Sequence, residues 1–347
     1  MAYTSIDDPT IYFNTVLYTG NAADGSSTTQ DISGVGFQPD WIWLKGRDNA
    51  NNHVVDDSVR GANKHLFPDL TNAENTSTNY IKSFASDGFQ LGPDGAVNGN
   101  GNTYVAWNWL AGGTASSNTD GDITSSVSVN TTAGFSIVSY TGTGSNATVG
   151  HGLGVAPKVL ILKSRTRSDG QWTVGSDMLG WSKFLFLDAT SAEQTFNLYQ
   201  NTAPTSSVFY LSGDGGVNQS SGSMIGYAFA EKKGYSKFGS YTGNGNADGP
   251  FVYTGFRPAW VLVKLSSGVD DWQILDNKRS PHNIVGGYLR PNSSSVTVDN
   301  DVIDFTSVGF KLRTSAGSWN PSGGTFIYMA FAESPLVNSN GVPATAR

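Results

Sequence analysis

Apolar and polar positions alternate with period two along most of the chain, in short runs bounded by Gly, Asn, Asp or Pro. Phe135-Ser-Ile-Val-Ser-Tyr140, Ser207-Val-Phe-Tyr-Leu211 and Val302-Ile-Asp-Phe305 are representative, β-branched or aromatic as strands should be. Only Asp56 to Asn63 and Thr71 to Thr78 are candidates for single helical turns, both short and poorly capped. Many short strands with turn signals between them predict an all-β protein of antiparallel sandwich or jelly-roll-like units.

The pattern is stated three times. Tyr18-Thr-Gly20, Tyr140-Thr-Gly142 and Tyr241-Thr-Gly243 each open a segment. Each is followed by a proline and a β-rich run ending in lysine at the same offset: Pro39 to Lys45, Pro157 to Lys163 and Pro258 to Lys264. Proline fixes φ and lacks a donor, so it suits the start of such a strand. The runs are nearly all apolar in the second and third segments, which predicts strands buried on both faces. Trp41, Trp43 and Trp260 lie within them and are expected in the core, while the three lysine heads are expected to reach water.

Second strands are predicted from His53, Trp172 and Trp272, and further ones at Gly88 to Leu91, Val208 to Leu211 and Gly309 to Leu312. Each segment closes on an aromatic strand, at Tyr104 to Trp107, Gly226 to Phe229 and Tyr328 to Phe331. A spacing of roughly 100 residues is too long for a solenoid unit and matches one small domain used three times. The expected organisation is a first sandwich over 1–112, a polar linker over 113–133, a second sandwich over 134–233, a third over 234–335 and a tail over 336–347. Within the linker, Ile123, Val127 and Val129 alternate as in an edge strand. The short join from Glu231 to Lys237 predicts rigid packing of the second segment on the third.

Composition narrows the function classes. Of 347 residues only 14% are charged, and the net charge of −7 comes with no basic run, which argues against a nucleic-acid partner. Cysteine is absent, so neither disulfides nor thiolate chemistry is available. The first residues lack a basic region followed by an apolar one, and no stretch approaches the ~18 apolar residues of a membrane span. Synthesis in the cytoplasm without membrane insertion is expected.

Catalytic patterns are weak. His53, His65, His151 and His282 stand at no metal-ligand spacing, no Gly-x-Ser-x-Gly elbow occurs, and Gly142 to Gly150 lacks the Lys-Ser/Thr of a phosphate loop. Asp56 with Asp57, Asp270 with Asp271, and Asp299 with Asp301 and Asp304 are the carboxylate sets; adjacent acids on a strand point to opposite faces. The prediction is a non-enzyme without a cofactor. Val298 to Asp304 is oxygen-rich and forms the one candidate calcium loop, although it departs from the EF-hand pattern. Trp181, Tyr288 and Trp319 stand in polar, loop-like contexts and are the candidate glycan-binding aromatics.

Ser5 to Pro9, Leu17 to Gly20, Gly36 to Trp41, Asp57 to Gly61, Ser86 to Phe89 and Val105 to Trp109 together resemble a repeat family of bacteriophage virion proteins. Gly150 to Pro157, Lys233 to Gly243 and Tyr328 to Glu333 carry the same resemblance. Such proteins are common in phages of marine bacteria and are labelled structural or tail-fibre-like. The resemblance implies concanavalin-like or related β-sandwiches and a place on the virion surface, with other virion proteins as partners, and brings no catalytic residues. The expected function is a tail fibre or tail-attached appendage contributing to host recognition. The alternatives are a capsid decoration or head-fibre protein and a lectin-like module for a host surface glycan. A homotrimer is the favoured assembly, and a pseudo-threefold arrangement within one chain is the other solution.

Overall fold

A computed structural model describes residues 3–23 and 25–343. It is all-β and antiparallel throughout its ladders, with two four-residue helices, Gly95–Asn98 and Gly215–Asn218, and one 3-10 turn, Pro9–Ile11. The helical turns expected at Asp56 to Asn63 and Thr71 to Thr78 do not form. Val54–Asp57 is a strand instead, because its buried apolar and ionic side chains override weak local helix preference, and exposed Asn75–Thr76 pairs as a short strand with Lys64–His65.

The same order of pairing recurs in each segment. An opening strand (Phe13–Thr19, Phe135–Thr141, Ser236–Thr242) pairs with a closing strand (Thr103–Trp109, Ser223–Phe229, Thr325–Pro335). The closing strand pairs with the proline-run strand (Trp41–Gly46, Val159–Ser164, Phe256–Leu265), and that with an anchor strand (Val54–Asp57, Thr173–Ser176, Trp272–Asp276). A second layer follows: Gln30–Ile32, Gly88–Leu91 and Ile81–Ala85 in the first segment, Ala147–Gly150 and Val208–Leu211 in the second, Phe251–Tyr253 and Gly309–Leu312 in the third. In the third segment Val298–Thr306 joins both layers into one eight-stranded sheet.

Alternation along these strands serves two cores at once. Val105, Trp107 and Trp109 face a central core that also receives Ile225, Tyr227 and Phe229 from the second segment and Ile327, Met329 and Phe331 from the third. Their neighbours Tyr104 and Ala106, Met224 and Ala228, and Phe326, Tyr328 and Ala330 face three separate local cores. The proline runs divide likewise: Trp41 and Trp43 point to the centre, Ile42 and Leu44 to the first local core. These strands are thus apolar on both faces because one face covers its own second layer and the other covers neighbouring segments.

Parity also decides the three lysines. Lys45, Lys163 and Lys264 continue the centre-facing series and are fully buried, so the expected solvent-reaching heads are not found. Their ammonium groups donate to backbone carbonyls: Lys45 to Gly46 and Asn49, Lys163 to Gly170 and to Thr71 of the first segment, Lys264 to Leu265 and to Thr190 of the second. Burial pushes each pKa down to about 8, partly offset by nearby carboxylates.

The Tyr-Thr-Gly signature is a latch. Tyr18, Tyr140 and Tyr241 donate to the carbonyls of Val97, Val217 and Trp319, at 2.7, 2.5 and 3.0 Å. Next to those carbonyls, fully buried Asn98, Asn218 and Asn320 accept from the backbone N–H of Asn21, Thr143 and Asn244. The glycine is required by close approach: a Cβ on Gly20, Gly142 or Gly243 would lie 2.2–2.4 Å from a backbone oxygen.

The expected linker is structured. Ser116–Asn118 and Ser125–Asn130 add two strands to the second segment's sheet, with Ile123 and Val127 buried. The tail turns back toward the first residues, where Ser339 donates to Asp7; Ala344 to Arg347 lie outside the described residues.

Candidate functional site

Two regions concentrate polar side chains: the contacts between segments and a surface cleft on the second. The contacts close a ring. Trp172 Nε1 of the second segment donates to the Phe67 carbonyl of the first at 2.9 Å, and Trp272 Nε1 of the third to Phe186 of the second at 2.8 Å. His53, at the same position in the first segment, meets the Arg290 carbonyl of the third at 2.9 Å. Backbone amides repeat the cycle: Glu74 N–H donates to Arg165, Glu193 to Ser266 and Thr297 to Arg47, at 2.9, 2.8 and 2.8 Å. His53 Nδ1 accepts from Trp43 Nε1, so its proton sits on Nε2 and the ring is neutral; burial holds its pKa well below the usual histidine range.

Two contacts carry a buried ion pair. Arg60 forks onto Asp57 through its backbone N–H (2.8 Å) and Nε (2.5 Å), and Tyr227 of the second segment donates to the same carboxylate at 2.8 Å. Arg279 forks onto Asp276 identically, and Trp107 of the first segment donates to Asp276 at 3.0 Å. Glu74 extends the first pair to Arg60 and Arg165. Beside it, His65 contacts Asp56 at 2.7 Å and donates Nε2–H to the Ser77 carbonyl, with both side chains fully buried. Asp56 and Asp57 are both fully buried; Asp57 joins the first segment to the second through Tyr227, whereas Asp56 is held by His65 within its own segment.

The other expected residues divide clearly. Trp181 packs edge-on against Tyr199 in the second local core, and Trp319 against Tyr288 in the third, at 5.5 and 5.2 Å. All three candidate glycan aromatics are buried, so none offers a ring face to a ligand. Trp181 dips inward between exposed Gly180 and Ser182, whereas Tyr288 lies in the wholly buried strand Val285–Leu289 rather than in a loop. Val298–Thr306 is a strand rather than a loop, with Asp304 paired to Arg313. Among the described residues no three histidine or acidic side chains converge so as to hold a metal ion. Asp271 pairs with Arg290 and accepts from Asn292, while His151 is buried with both ring nitrogens engaged by backbone.

The cleft occupies about 440 Å³ on the second segment, between the loop after Lys163, the strand Lys183–Phe186 and the turn capped by Asp214. Arg167 and Asp169 form a two-point fork on one wall at 2.9 and 3.0 Å. Phe186 and the largely exposed Phe196 form the apolar side. Sequence reading passed over this cleft and the Asp-Arg forks. A signal existed for the latter in Asp57-Ser-Val-Arg60 and Asp276-Asn-Lys-Arg279, and for the buried asparagines in a thrice-used Gly-x-x-Asn.

Residues 8–335 match a family described as a domain of unknown function (DUF7483), and the chain belongs to that family. No curated protein and no solved structure matches it.

Proposed function

We propose that this member of the DUF7483 family is a non-enzymatic structural protein of a bacteriophage virion, a tail fibre or tail-attached appendage that contributes to host recognition. The observation that carries the reading is the closed ring: each segment bonds to the preceding one through equivalent positions, and the first bonds to the third. One chain thereby acquires the approximate threefold faces that three chains ordinarily supply, and a single copy suits a threefold attachment point. The shared aromatic core suits a body that must stay folded outside the cell, because its segments cannot open without exposing it. The family resemblance of the sequence supplies the setting.

The test is a reconstruction of the intact particle with this chain traced, alongside the solution mass of the isolated protein. A 36.8 kDa monomer and density at the tail are expected. Density over the head would make it a decoration protein, and its absence from purified particles would overturn the reading.

A further inference from the structure

We propose that the cleft on the second segment is a carbohydrate-binding site that takes an uncharged pyranose unit. Its volume of about 440 Å³ falls within the range of small-molecule pockets. Its lining is mixed in chemistry. Phe196 is 55% exposed, and with Phe186 it gives the cleft an aromatic lining. The lining also includes Arg167, Asp169 and Asp214, with the amides of Gln171 and Gln194.

This combination selects among ligands. Asp169 takes the Nε–Nη2 edge of Arg167 and offsets its charge, and with Asp214 also in the lining two carboxylates against one guanidinium repel an anion. A wholly apolar ligand would desolvate the polar lining without replacing its hydrogen bonds. A pyranose satisfies both kinds of lining: its C–H face stacks on an aromatic ring, and its hydroxyls act as donors to carboxylates and as acceptors from amides and guanidinium.

Internal comparison supports the assignment. In the third segment the residue corresponding to Val217 is Trp319, whose ring packs against Tyr288, the counterpart of Phe184 in the cleft wall. Phe196 and the Arg167–Asp169 fork likewise have no like residues at the corresponding positions of the first segment, which are Ser77, Asn49 and Asn51. The cleft is thus an addition made by the second segment's own side chains on a shared template, as expected of a site rather than of a requirement of the fold.

The inference goes beyond the virion reading and does not depend on it, since it concerns the isolated chain. Saturation-transfer NMR on the full chain, with the methyl glycosides of glucose, galactose, mannose, N-acetylglucosamine and rhamnose, tests it. Transfer to the ring protons of at least one glycoside is expected, with a tenfold or greater loss of affinity in Phe196→Ala and in Arg167→Ala. Phe251→Ala, which removes an exposed aromatic of the third segment, should leave binding unchanged, and thermal unfolding of each variant verifies its fold. No transfer from any glycoside, binding that survives both cleft substitutions, or preferential binding of inorganic phosphate or AMP at the cleft would each overturn the proposal while leaving the virion reading standing.

Discussion

The contact between the second and third segments differs from the other two in chemistry but not in backbone. Where Asp57 and Asp276 stand in the first and third segments, the second has Ser176, and Arg60 and Arg279 give way to Leu179. The facing residue changes in step: Tyr227 and Trp107 donate to the aspartates, whereas Met329, with no donor, takes that position opposite Ser176. Apolar side chains fill the rest, leaving a void of only about 10 Å³. Yet the Trp272 bond to Phe186 and the Glu193 bond to Ser266 match those of the ionic contacts. Ring closure is therefore set by backbone and indole bonds plus apolar burial. The ion pairs are one of two ways to fill the space, consistent with the near-balance of desolvation and attraction in buried pairs.

The largest expected effect separates the two kinds of contact. Asp276→Ala leaves Arg279 buried without its carboxylate and orphans Trp107 Nε1, and should destabilise by about 3–5 kcal/mol. Ser176→Ala, at the equivalent position, removes a buried hydroxyl that has no protein partner and should change stability by under about 1 kcal/mol. Urea denaturation of the two variants measures both; equal losses would contradict the comparison.

A smaller effect probes what the contacts share. Trp172→Phe and Trp272→Phe each remove one hydrogen bond between segments while the Phe67 and Phe186 carbonyls keep the N–H of Leu70 and Ala189, costing roughly 0.5–1.5 kcal/mol apiece. Similar losses at the ionic and apolar contacts would support a common backbone scheme, and a loss confined to Trp172 would count against it.

The smallest effect is a pH slope. Asp69 and Asp188 accept from the backbone N–H of His53 and Trp172, and burial raises both to about 6 from an ordinary 3.8. The folded state therefore binds more protons than the unfolded chain between these values, and their contribution to stability falls as pH rises from about 4 to 6. In the third segment Asn292 does the same work, accepting from Trp272 N–H at 2.8 Å. Asp69→Asn with Asp188→Asn should keep the fold and flatten that part of the stability profile relative to the unmodified chain. An unchanged profile would show that these carboxyls do not titrate there.

Much of the architecture was legible because it is local and periodic. Two-residue alternation marked the strands, Trp41, Trp43 and Trp260 read as core, and the shared Pro-to-Lys offset showed that three segments follow one plan. The candidate site was far less legible. Trp181 and Trp319 have polar sequence neighbours yet are buried, and Tyr288 lies in a wholly buried strand, whereas Phe196, between Thr195 and Asn197, is exposed in the cleft that Arg167 also lines.

By itself the sequence determined the all-β class, the threefold repetition and which strands would be apolar on both faces, since each follows from side-chain chemistry at fixed local spacing. Tertiary structure alone decided what covers those faces. That Lys163 ends on Thr71, that Tyr227 meets Asp57 and that Trp107 meets Asp276 depends on pairing residues 92, 170 and 169 positions apart. Periodicity tells a strand which side to bury, but the partner that buries it is chosen by the packing of the whole chain.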